Sequence, residues 1–98
     1  MGANPNLLVK NVMELLVMQT VEDVLSKFPE VCRCDICRTD ILALALNQLP
    51  PKYTVTEKGE LFSKIQILEA QYRADIIGAI TKAIIKVSES PRCSKENN

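Results

Sequence analysis

The spacing of its cysteines constrains this chain more than any other feature. Cys32, Cys34 and Cys37 form a C-x-C-x-x-C cluster, Cys93 stands apart near the C-terminus, and the chain has no histidine. Three thiols on one short loop can converge without help from the rest of the fold. Adding the fourth obliges the chain to bring residue 93 back beside that loop. Zinc takes four thiolates tetrahedrally at about 2.3 Å each, and a Cys-x-x-Cys bite is a common half of such a set. On this reading Cys32, Cys34, Cys37 and Cys93 hold one structural zinc ion, since four protein ligands leave no open coordination position. The closure would pin the end of the last helix to the start of the second.

Two other readings stay open. Cys34 and Cys37 form a C-x-x-C dithiol, but the βαβ setting of a thioredoxin-like redox site is missing. Structural disulfides are disfavoured by the single residue between Cys32 and Cys34 and by the absence of a secretory signal. Arg33, Arg38 and Arg92 each adjoin a cysteine. They either offset the negative charge of four thiolates on a divalent ion or are ordinary solvated charges.

With 98 residues the chain is expected to be one domain, residues 1–98, with a polar, disordered tail at 94–98. A domain of this size hides only roughly 60–65% of its unfolded surface, so a metal or a partner subunit is a natural supplement. Twelve basic and twelve acidic residues cancel, leaving no global field toward nucleic acid or an anionic membrane. The run from residue 15 to residue 21, between Glu14 and Glu22, falls far short of the about 20 apolar residues of a membrane span. With no targeting segment, the expected location is the cytoplasm, where thiols stay reduced.

The pattern predicts a mainly α protein of three helices. Asn4 and Pro5 read as N-cap and first helical position, starting a helix over residues 6–28 that Pro29 ends. A second helix is expected over 35–48, with the all-apolar stretch 41–46 as a central, buried element, stopped by Pro50 and Pro51. Residues 50–60 form a loop with a short strand at 53–55 and a turn at Glu57, Lys58 and Gly59. A third helix runs over 60–88. One of its faces carries Leu61, Phe62, Ile65, Leu68, Tyr72, Ile76, Ile80, Ala83 and Val87, and another carries Ile67, Ala70, Ala74, Ile77 and Ile85. Two apolar faces need two covers. Either the first two helices supply both, or a second subunit supplies one.

Catalytic arrangements are not apparent. Histidine, the commonest general base, is absent, no serine has a recognisable partner base, and no glycine-rich phosphate loop exists. Glu22 and Asp23 read as a solvated face, and Asp40 as a favourable charge near a helix N-terminus. The 50–60 loop is either a connector or a site for a phosphate-bearing ligand with Tyr53 as a stacking surface.

The segment CRCDICRTDILALALNQLPPKY, with Cys32, Cys34, Cys37, Asp40, residues 43–47, Pro51 and Tyr53, resembles the ComFB family, the late competence development proteins. A second match covers residues 87–91, followed by Cys93. The resemblance spans nearly the whole chain. It implies a non-enzymatic helical homodimer with a cysteine-bound zinc, linked by name to competence and DNA uptake. Some members are receptors for cyclic di-GMP; they are similar to this chain over residues 45–53 and generally lack the cysteine cluster, whereas this chain carries both. The implied function is a regulatory binding protein for cyclic di-GMP or cyclic di-AMP. Asn47, Tyr53 and Lys58 are the candidate contacts, with Arg38 and Arg73 next for phosphate. The alternatives are an adaptor docking onto a protein of the competence or motility machinery, and a thiol redox protein.

Overall fold

The computed structural model describes residues 7–57 and 60–93. In chain order these form strand β1 (Leu7–Asn11), helices α1 (Val12–Leu25) and α2 (Asp35–Asn47), strand β2 (Tyr53–Glu57) and helix α3 (Leu61–Glu89). The fold is mainly helical, with one two-stranded antiparallel sheet in which Leu7 pairs with Glu57, Val9 with Val55 and Asn11 with Tyr53.

The N-terminal segment corrects the sequence reading. The proposed helix start at Asn4 and Pro5 lies outside the described residues, and from residue 7 the chain is a strand, not a helix. Asn11 is the reason. Its backbone is extended, and its side chain accepts from the Met13 N–H, so it is the N-cap of α1. The same Oδ1 accepts from the Lys52 N–H at 2.8 Å, and the Val12 N–H donates to the Lys52 carbonyl at 2.7 Å. One side chain thus ends a strand, starts a helix and ties both to the entrance of β2. Asn11→Ala is expected to cost about 1–2 kcal/mol, the upper part of the N-cap range, because a second bond is lost with the cap. Denaturant unfolding at fixed metal content would measure it. At its other end α1 stops at Leu25, before the expected residue 28, and Phe28 folds back to bond the Leu25 carbonyl.

Burial gives a second correction. The central helix is α1, which buries Val12, Met13, Leu16, Val17, Val21, Val24 and Leu25. By contrast α2 buries only Cys37, Ile41 and Ala45. Its leucines 42, 44 and 46 are half-buried against the edge of the core, and Ala43 is exposed. The all-apolar stretch 41–46 is therefore not fully wrapped within one copy of the chain.

Helix α3 is the long strut. Its 29 residues extend about 43 Å at 1.5 Å per residue. Every buried residue on it lies in the C-terminal half: Ile76, Ala79, Ile80, Ala83, Ile84 and Val87. That half packs against both α1 and α2. The first apolar face predicted from sequence enters the core from Ile76 onward; Leu61, Ile65, Leu68 and Tyr72 are only half-buried against it, and Phe62 remains 69% exposed. The second face stays largely uncovered, with Ile67 at 67% exposure and Ile85 also exposed, while Ile77 packs half-buried against the core. Helices α1 and α2 do not supply both covers. The outer face of the sheet adds exposed Leu7, Val9, Tyr53 and Val55.

Candidate metal centre

The cysteine loop sits where α1, α2 and the end of α3 meet. Cys34 is the N-cap of α2, with extended backbone and its sulfur accepting the Cys37 N–H at 3.5 Å. It occupies the position that serine or aspartate usually fills. The Arg38 N–H bonds the Cys34 carbonyl at 2.9 Å, so the turn is closed twice. One turn into α2, Cys37 faces the core and is buried. Beyond the end of α3, Pro91 and Arg92 lead to Cys93, which is buried as well.

All four sulfurs converge. The Sγ atoms of Cys32, Cys34, Cys37 and Cys93 lie within 4.8 Å of one another. Cys93 Sγ is 3.8 Å from Cys32 Sγ and 3.3 Å from Cys37 Sγ. A tetrahedron with metal–sulfur bonds of about 2.3 Å has edges of about 3.8 Å, so the spacing matches a single ion. It does not match a disulfide, whose sulfurs are about 2.05 Å apart, and all four thiols are free. The donor set fits a soft or borderline ion such as zinc, to which these four side chains would supply a closed tetrahedral shell.

The thiols differ in their hold on protons. The backbone N–H of Cys37 pushes the Cys34 thiol down to about 7, with smaller help from the neighbouring thiols. Burial pushes the Cys37 thiol up, reinforced by its bond to Cys93. A metal held here would require all four groups as thiolates, so its binding would release protons.

The three arginines next to the cysteines are engaged structurally. Arg33 donates from Nη2 to the Leu25 carbonyl, satisfying the end of α1. Arg38 forms an ion pair with Glu22 of α1 and reaches the Arg33 carbonyl at 3.3 Å. Arg92 grips Asp40 of α2 with two bonds, Nε to Oδ2 at 3.0 Å and Nη2 to Oδ1 at 2.9 Å. These bonds hold the Asp40 carboxyl below the usual carboxylate range. Glu22 and Asp40, read from sequence as bland charges, are thus ties between elements. The signal for Asp40 is its position three residues after Cys37, on the same helical face.

The candidate ligand contacts are dispersed. Asn47 ends α2 and is exposed. Tyr53 opens β2 and is 66% exposed. Beside it the Lys52 ammonium lies 5.6 Å from the centre of the Tyr72 ring, within cation–π range. Arg38 lies at the cysteine loop. Arg73 pairs with Glu69 one turn back on α3 and borders a cavity of about 430 Å³ with Thr20, Asp23, Lys27 and Thr81. Neither Asn47 nor Tyr53 lines that cavity. Lys58 lies outside the described residues.

Comparison with known proteins gives one consistent picture. The family model for the late competence development protein ComFB matches residues 10–91. The competence protein ComFB of Bacillus subtilis (strain 168) is 26% identical over 81 residues, which are 83% of this chain and 83% of that protein. The solved structure of the late competence protein ComFB from Bacillus subtilis aligns with a TM-score of 0.70 at 25% identity, covering 86% of this chain and 94% of that one.

Proposed function

The chain belongs to the ComFB family of late competence development proteins, and from that premise we propose that it is a zinc-stapled, non-catalytic homodimer that works as a regulatory binding protein. The observation that carries this reading is the closed set of four sulfurs. A metal held by four protein ligands has no position for substrate or activated water, so its task is to fasten the fold. Zinc is the ion of choice because a closed tetrahedral set of four thiolates suits a borderline-soft ion with no geometric preference of its own.

A second copy is the proposed cover for the apolar surface left on one protomer. Phe62, Ile67 and Ile85 on α3 and the outer face of the sheet are large side chains standing in solvent. Patches of this kind mark interaction sites.

The proposed ligand is a cyclic dinucleotide, cyclic di-GMP or cyclic di-AMP, bound near residues 47–59. Tyr53 offers an open ring for a base, and Asn47 a side-chain amide. Arg38 and Arg73, already paired with carboxylates, would have to exchange those partners for phosphate. Lys52 joins Asn47, Tyr53 and Lys58 as a cation next to the stacking residue. Calorimetric titration of the metal-loaded protein with each nucleotide is the test. Saturable heat with one of them is expected, with affinity falling about tenfold or more in Tyr53→Ala, since base–aromatic stacking contributes roughly 1–3 kcal/mol. No heat at high micromolar nucleotide would remove the receptor reading. The second reading would then stand, an adaptor whose uncovered apolar face docks onto a protein partner of the competence machinery.

A further inference from the structure

Three of the four sulfurs come from one loop, but Cys93 arrives from a segment with no secondary structure of its own beyond the end of α3. A ligand on such a segment can leave the metal by a local swing of the chain. Besides the burial of Cys93 itself, the residue before it stands against that swing. Arg92 is locked onto Asp40 by two parallel bonds of 2.9 and 3.0 Å, the geometry in which guanidinium and carboxylate bind most specifically. Asp40 sits on α2 one turn beyond Cys37, the sulfur that Cys93 approaches most closely, at 3.3 Å. The same stretch of helix therefore presents a metal ligand and an anchor for the neighbour of another.

We propose that Asp40 and Arg92 are positioning residues for the metal centre: their paired bonds hold Cys93 in register with the other three thiolates and slow its release. The inference rests on the zinc reading given above. Neither residue is a ligand of the centre, so the effect of the pair is on how long Cys93 stays, not on which atoms bind. Holding the adjacent residue in place keeps the detached thiolate close to the ion, so rebinding competes with further dissociation. A lysine at position 92 would keep the positive charge near the centre but lose the two-pronged grip.

The test is the rate at which zinc passes from the loaded, full-length protein to an excess of a chromogenic chelator. Asp40→Ala and Arg92→Lys are each expected to release zinc about three- to tenfold faster than the unaltered chain, and the double variant no faster than the faster single one, as for two residues acting through one contact. Glu69→Ala, which breaks the Arg73 ion pair elsewhere on α3, is the control and should leave the rate unchanged. The cobalt-loaded variants should keep a four-thiolate spectrum at saturation, because all ligands remain. Release rates within twofold of the unaltered chain in both single variants would overturn the proposal. So would an Arg92→Lys variant that behaves normally while Arg92→Gln is fast, since charge alone would then explain the effect. If the unaltered chain binds no zinc, the metal reading itself fails, and that result is distinct from either.

Discussion

Stripping the metal from the purified protein is expected to lower its thermal midpoint by about 16–32 °C, and Cys93→Ser should do the same without chelator. The centre joins residues 61 positions apart, and closing a loop of that length removes chain entropy worth roughly 4 kcal/mol from the unfolded state, by the reasoning used for disulfides. For a domain of about 100 residues each kcal/mol moves the midpoint by about 4–8 °C. Cys34→Ser separates the two tasks of that residue. Serine keeps the helix cap and loses the ligand, so the variant should melt low with or without chelator and coincide with the stripped protein. Thermal unfolding of the three chains, each with and without chelator, measures this. A midpoint that moves by less than about 3 °C on metal removal would mean that the sulfurs do not staple the fold.

The second large effect concerns association. Phe62→Glu and Ile67→Glu are each expected to convert a dimer into a monomer of 10.9 kDa, weakening association by at least about a hundredfold. An unpaired charge at the centre of an apolar interface costs several kcal/mol, which at about 1.4 kcal/mol per decade is that factor or more. The protomer itself should keep its fold and its metal, since both side chains are largely exposed within one copy. Sedimentation equilibrium reads the mass directly. Unaltered protein that is monomeric at high micromolar concentration would remove the dimer, and variants that remain dimeric would move the interface to another face.

Local chemistry made much of this architecture readable in advance. The ends of α2 and α3 follow from the proline pair at 50–51 and from Pro91, while the cap that starts α2, Cys34, is seen only in the structure. The strand at Tyr53 follows from its β-prone residues, and the two apolar faces of α3 from helical spacing. The cysteine cluster is legible because three of its members are bound together by the chain itself. What was not legible depends on partners far away in sequence. Residues 7–11 have the composition of either a helix or a strand, and the choice is made by pairing with residues 53–57. The cap at Asn11 matters as much for Lys52 as for α1. The all-apolar run of α2 suggested deep burial, yet the buried core is drawn mostly from α1 and the C-terminal half of α3, and α2 contributes Cys37, Ile41 and Ala45. Asp40 looked like a charge at a helix start until Arg92, 52 residues on, closed upon it. The centre itself needs Cys93 to return beside the loop, which spacing suggests and only the packing of α3 on α2 delivers.

The nucleotide reading stands on different ground from the metal reading. It draws on the resemblance over residues 45–53 and on the open ring of Tyr53, whereas the four sulfurs are brought together by the fold. The four sulfurs gather at one end of the fold, and the exposed apolar side chains lie along α3 and on the sheet. No helix among the described residues is long and apolar enough to cross a membrane, so those uncovered residues are not explained as a span.

The claim on which the rest depends is that Cys32, Cys34, Cys37 and Cys93 hold one zinc ion in a closed shell. X-ray absorption at the zinc edge of protein purified without added metal or chelator tests it most directly. The account predicts a zinc signal of one ion per chain with four sulfur neighbours at about 2.3 Å and no lighter ligand. A sample with no zinc, or a shell containing oxygen or nitrogen, would contradict it.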